Sequence, residues 1–153
     1  MTQLSRLERE ALLRGYLRGA FDFEEFARRL KGYLRFAESE SANLTEFRVD
    51  VDHQLEVQIV LTPAELRPVL NAFLCWELDE TALARWASVL LMLDAFENPP
   101  ELSDEEADDI MEPLWEVLWD LSAGPGATSM RERVETALAD LAEVDVKLAA
   151  RAV

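Results

Sequence analysis

The chain carries a single cysteine, Cys75, and a single histidine, His53. One thiol rules out an internal disulfide, and one Cys with one His argues against a Cys/His zinc site within one chain. No apolar run is long enough to cross a bilayer. The N-terminal MTQLSRLERE has no apolar core behind a basic start, so a cytoplasmic location is expected. Positive charge is missing from a long stretch, with no Lys or Arg between Arg85 and Arg131. The Glu-x-x-His pairs of a di-iron bundle do not occur, and SDEEADD lacks the glycine and ligand spacing of a calcium loop. GPGAT near residue 124 lacks a phosphate-loop lysine and follows no strand, so it is read as a linker between helices. With no catalytic or cofactor signature left, the chain is read as a non-enzyme that needs neither cofactor nor metal.

What is present is a 153-residue chain, half hydrophobic, with 31 acidic residues against 15 basic ones and a net charge of −16. That length suits one domain with a sizeable core, and that hydrophobic content excludes a disordered acidic tail. The charge is unevenly placed. Residues 1–37 hold 8 of the Lys and Arg and only 5 acids, while the remaining 116 residues hold 26 acids and 7 bases. Such a body repels nucleic acid and anionic membrane and attracts basic partners. Acidity also serves plain solubility, so composition by itself does not decide between the two.

Periodicity predicts a mainly α protein: a helical bundle of about six helices with one short β-hairpin at about residues 46–60. The chain reads as one domain, 1–153, comprising a helical hairpin (5–37), the β-hairpin (46–60) and a helical bundle (62–151). Ser5 with Glu8 makes a capping box that opens a helix to about Arg18. Asp22 caps a second, to about Ala37. Thr62, Pro63 and Glu65 open a third, ending near Trp76. Asp79 opens a fourth that runs to about Phe96, before Pro99-Pro100. Ser103 with Glu106 opens the fifth, closed at Ser122-Ala-Gly-Pro-Gly, and Ser129 with Glu132 opens the last.

Between the second and third helices, Phe47, Val49, Val51, Leu55, Val57 and Ile59 alternate with polar residues, the period of strands. Asp52, His53 and Gln54 form the turn, with His53 at the surface. Ser39 to Asn43 read as a flexible lead-in. An isolated hairpin is marginal in water, so this one packs on the helices or pairs with another chain. A faint repeat lays LLRGYLRGAFDFEEFARRL from Leu12 over VLNAFLCWELDETALARWA from Val69, matching Tyr16 with Phe73, Asp22 with Asp79 and Phe26 with Leu83. Each copy is a helix, a tight turn capped by Asp, and a second helix, a pattern that any short antiparallel helix pair with an Asp cap also shows. Cys75, between Leu74 and Trp76, is read as a buried structural thiol. Helix four is apolar nearly all round from Trp86 to Phe96, which places it at the centre of the bundle or at a subunit interface.

The fifth helix is the most informative. At about 100° per residue, Ala107, Ile110, Met111, Leu114, Leu118 and Leu121 share one face. Glu105, Asp109, Glu112, Glu116 and Asp120 share the opposite one. Asp104, Glu105 and Glu106 in the first turn suit the helix dipole. Glu105 with Asp109, Glu112 with Glu116, and Glu116 with Asp120 are like charges four apart, costing about 0.2–0.5 kcal/mol each with no Lys nearby to offset them. A stripe that costs the fold stability motivates a partner, although a plainly solvated face is the blander reading. Trp115 and Trp119 border the stripe. Trp119 is the candidate anchor for an arginine of that partner, and the competing reading has a neighbouring helix cover it.

The first helical hairpin, ALLRGYLRGAFDFEEFARRL, resembles the opening of the colicin-D-type immunity proteins of bacteria, through Leu13, Tyr16, Leu17, Phe21 and Phe26. The resemblance covers about 20 of the 153 residues, all core positions. It implies a small, acidic, helical, cytosolic protein that binds a cationic nuclease toxin and blocks its active site with carboxylates. It carries over no partner-contacting residue. The sequence thus leads to an acidic binder of a basic protein, for which Glu105, Asp109, Glu112, Glu116, Trp119 and Asp120 are the candidate contacts. The alternative is a structural or regulatory homo-oligomer, a homodimer for instance, joined through residues 47–60 and helix four.

Overall fold

A computed structural model describes residues 3–38, 47–124 and 126–151. The expected lead-in from Ser39 to Asn43 lies outside them. Among the described residues the chain is mainly helical, with seven helices and a short antiparallel strand pair. The first helical hairpin comprises α1 (Arg6–Leu17) and α2 (Phe23–Arg29). The Ser5/Glu8 capping box opens α1, and the Asp22 side chain accepts from the Glu25 amide to open α2. The chain then departs from the expected long second helix. Gly32, at φ 100°, ends the turn after α2, and residues Leu34–Glu38 form a strand, β1.

β1 pairs antiparallel with β2 (Phe47–Val51), with Leu34 opposite Val51 and Phe36 opposite Val49. An antiparallel pair therefore exists as expected, but Phe47–Val51 is its second strand, paired with Leu34–Glu38 and not across Asp52-His53-Gln54 with residues 55–59. Leu34 is buried, Arg35 is exposed and Phe36 is half-buried, a period of two that a helix could not satisfy. Arg35 donates to both Asp52 carboxylate oxygens at 2.9 and 2.7 Å, which pins the end of the pair. His53 is exposed, as expected, edge-on to Tyr33. The expected second strand keeps its alternation, with Leu55, Val57 and Ile59 all buried. Glu56 interrupts it at φ 55°, and only β3 (Ile59–Val60) pairs, in parallel with β4 (Phe96–Glu97). β4 lies where helix four was expected to continue. That helix, α4 (Glu80–Met92), stops at Leu93, whose backbone is extended, and the Ile59 and Leu61 amides donate to the Ala95 and Glu97 carbonyls.

α3 (Pro63–Leu74) precedes α4, with proline in its first turn and Thr62 making no side-chain cap bond. α4 buries Leu83, Ala84, Trp86, Ala87, Ser88, Val89 and Leu90 inside this one chain, against α2, α3, β2 and a helix described below, α6 (Glu112–Ser122). It is the centre of the bundle. The C-terminal α7 (Met130–Arg151) packs on α3 and α6 and is tied to α3 by an Arg67–Asp145 ion pair.

The two helical hairpins share one backbone pattern at their elbows. The Arg18, Gly19 and Ala20 amides donate to the Arg14, Tyr16 and Gly15 carbonyls, and the Cys75, Trp76 and Glu77 amides donate to the Asn71, Phe73 and Ala72 carbonyls, each 57 residues on. Both elbows carry a left-handed residue in the same place, Gly19 at φ 78° and Trp76 at φ 64°. Glycine adopts that conformation freely; tryptophan does not, at a cost of about 1–2 kcal/mol. Cys75, next to it, is exposed, which corrects the buried thiol. It caps the C-terminus of α3, and the turn carries its side chain away from the core. Trp76 is 82% exposed, with the Arg131 guanidinium 5.0 Å from its ring centroid. An exposed contact of that kind contributes about 0.5–1 kcal/mol, less than the backbone cost. Trp76→Gly should thus leave the urea midpoint unchanged or higher. Gly19→Ala, whose Cβ would meet Val69 Cγ2 at 3.1 Å, should lose about 1–2 kcal/mol. A Trp76→Gly variant weaker than Gly19→Ala would contradict this reading of the elbows.

Candidate functional site

The expected fifth helix is two helices, α5 (Asp104–Ile110) and α6, joined at Met111. Pro113 supplies the break: it has no amide hydrogen to give the preceding turn. Met111 keeps near-helical angles, φ −91° and ψ −10°, and is fully buried, so the two faces carry across the joint. Ala107, Ile110, Met111, Leu114, Val117, Leu118 and Leu121 are buried, while Glu105, Asp109, Glu112, Glu116, Trp119 and Asp120 are all exposed.

The carboxylates are not equivalent. Glu106 closes the Ser103 capping box and receives Arg151 Nε at 2.8 Å, which holds its carboxyl below the usual range. Asp120 receives Arg133 Nε at 3.0 Å; the same guanidinium donates to the Gly124 carbonyl at 2.6 Å and to the Asp120 carbonyl. Arg133 is only 11% exposed, so this pair is a fixture of the α6–α7 packing. The expectation that Asp120 stands free in the stripe is corrected: it forms the stripe's compensated end. Glu105, Asp109, Glu112 and Glu116 have no cationic partner among the described residues. Asp108 belongs with them, exposed and also unpaired, three residues from Glu105 and four from Glu112. The same helical projection finds it.

The arginines on α7 bracket this array. Arg151 meets the start of α5 and Arg133 the end of α6, so α7 runs antiparallel to the α5–α6 pair. The 18 residue steps from Arg133 to Arg151 span roughly 27 Å of helix. The tryptophans separate as well. Trp115 is half-buried and its indole N–H donates to Asn98 Oδ1 at 2.7 Å, so its polar edge is already used. Trp119 is 68% exposed, which sets aside the reading in which another helix covers it.

In the basic N-terminal segment several guanidinium groups are already spent within the chain. Arg28 and Arg29 both donate to Glu25 and pull its carboxyl down to about 2. Arg9 spends its guanidinium on the Leu55 and Leu4 carbonyls, each at 2.7 Å. Among the described residues no group of three or more His, Cys, Asp or Glu side chains is arranged to hold a metal ion, and no helix is long and apolar enough to cross a membrane. No family model, curated protein or solved structure matches the chain.

Proposed function

We propose that the chain is a non-catalytic acidic protein of the cytoplasm that binds a basic macromolecular partner, in the manner of an immunity or adaptor protein. A cationic toxin is the partner that the resemblance of the first hairpin implies. One observation carries the reading: Glu105, Asp108, Asp109, Glu112 and Glu116 stand exposed along α5 and α6 with no cationic partner among the described residues, beside an exposed Trp119. Unpaired like charges repel within a helix, and a basic surface relieves that repulsion on docking. The exposed indole supplies the stacking surface that arginines favour. Nucleic acid and anionic membranes are disfavoured by the same charge. The alternative, a homo-oligomer joined through residues 47–60 and helix four, keeps only the first of those surfaces, because α4 buries its apolar side inside this chain.

The test compares two immobilised proteins, the parent and a variant carrying Glu105→Gln, Asp109→Asn, Glu112→Gln and Glu116→Gln. In native cytosol at low salt, the parent should retain a basic protein that the variant releases. Retention of the same proteins by both would overturn the assignment of the stripe.

A further inference from the structure

The two elbows of the repeat leave a cleft between them. Tyr16, Gly19, Phe21, Asp22 and Phe23 line it from the first hairpin, and Val69, Ala72, Glu77, Leu78, Ala82 and Trp86 from the second. Its volume is about 230 Å³. Tyr16, Val69 and Trp86 are buried and form its floor, and half-buried Phe21, Phe23 and Leu78 stand among its walls. The Trp86 indole N–H is already given to the Leu17 carbonyl at 3.2 Å, so Trp86 offers the cleft only its ring.

Two of the residues lining the cleft are charged, both negative, while Arg85 acts on Tyr16 from outside the lining. Asp22 uses Oδ1 to accept the Glu25 amide at 2.9 Å, leaving Oδ2 without a protein partner among the described residues. Glu77 is exposed, with its carboxylate likewise unpaired there. Guanidinium groups already rest on rings of this neighbourhood: Arg29 lies 5.1 Å from the Phe21 centroid and Arg85 4.9 Å from that of Phe23, and neither lines the cleft. An apolar trough with aromatic walls and two carboxylates matches a cation on an apolar stem. The size narrows the choice. Pockets for whole small molecules and cofactors run about 300–1,000 Å³, so this cleft suits one side chain. A planar guanidinium stacks on rings and pairs with carboxylates better than an ammonium does.

We propose that the cleft between the elbows receives an arginine side chain of the basic partner. The inference rests on the basic-partner reading but uses a different surface from the α5–α6 stripe, and the two fail separately.

The test uses the full chain, labelled with ¹⁵N, and three probes: N-acetyl-arginine methylamide, its neutral citrulline isostere, and an octa-arginine peptide. The arginine probe should shift the Trp86 indole N–H and the Gly19, Ala72 and Ala82 amides, and the citrulline probe should not. Asp22→Asn keeps the helix cap and should weaken the arginine probe at least about fivefold, because asparagine caps without the charge. Ala82→Phe fills the cleft and should abolish those shifts and weaken octa-arginine about tenfold. Neutralising the stripe should leave the arginine-probe shifts intact.

Equal binding of citrulline, or no shift at Trp86 in parent and Asp22→Asn alike, overturns the proposal even if octa-arginine still marks the stripe. Cleft binding of the small probe with no loss of octa-arginine affinity in Ala82→Phe makes the occupant a free guanidine and also overturns it. Octa-arginine that ignores the stripe while the cleft fills as described refutes the stripe alone.

Discussion

Phe26→Ala should be among the most destabilising substitutions in the protein. Phe26 is fully buried; its ring stacks on Tyr16 at 4.2 Å between centroids and lies 5.9 Å from Phe36. One side chain thereby joins α2 to α1 and both to β1. Truncating a buried phenylalanine costs about 3–5 kcal/mol, from lost burial and from the cavity left behind. That is a large part of the roughly 5–15 kcal/mol that holds a domain together. The thermal midpoint should fall by on the order of 10 °C, at about 2–4 °C per kcal/mol for a chain of this size. The β1–β2 amides should also lose hydrogen-exchange protection before those of α4, since Phe36 would lose one of the rings it packs against. A loss under about 1 kcal/mol would mean that this aromatic cluster does not organise the N-terminal half.

Neutralising the stripe should move stability and binding in opposite directions. The Glu105–Asp109 and Glu112–Glu116 pairs each carry about 0.2–0.5 kcal/mol of repulsion, so a variant with Asp109→Asn and Glu116→Gln, which removes both and spares the first-turn Glu105 and Glu112 that the helix dipoles favour, should be more stable by about 0.5–1 kcal/mol at low salt. The gain should shrink as salt screens the parent. Against a cationic peptide such as octa-arginine, the association rate at low salt should fall by a factor of about 10–10³, the range that electrostatic steering commands. Gains in both stability and binding, or losses in both, would contradict the stripe's assignment. Most of the protein's other acidic residues remain in place, so attraction to overall charge predicts only a small change.

Helix starts were readable because a cap is a local event. Ser5 with Glu8, Asp22, Asp79, Ser103 with Glu106, and Ser129 each mark a start with a side chain that the structure shows accepting a backbone N–H. Where elements stop and what they pair with depends on distant residues. Leu34–Glu38 follows a helix and reads as its continuation until Gly32 is taken as a terminator and Val49 and Val51 as partners. Ile59 finds its strand partner at Phe96, across two intervening helices. Pro113 was a local signal that the apolar periodicity on either side of it concealed.

The candidate site divides in the same way. The outward face of Glu105, Asp109, Glu112, Glu116 and Trp119 follows from helical period alone, and so does Asp108. That Asp120 is held by Arg133 is a matter of tertiary packing between α6 and α7. The cleft between the elbows has the same origin: Asp22 and Glu77 lie far apart in the chain, and only the docking of the two hairpins brings them to one trough.

The central claim is that the unpaired carboxylates of α5 and α6 form one docking surface rather than part of a diffuse negative field. Titrating the ¹⁵N-labelled chain with octa-arginine and mapping the amide shifts tests it directly. The account predicts that, outside the elbow cleft, the largest shifts cluster between Glu105 and Asp120 and include the Trp119 indole N–H, with saturation that weakens steeply as salt rises. Shifts spread evenly over Glu132, Glu135, Asp140 and Glu143 on α7 as well would contradict it.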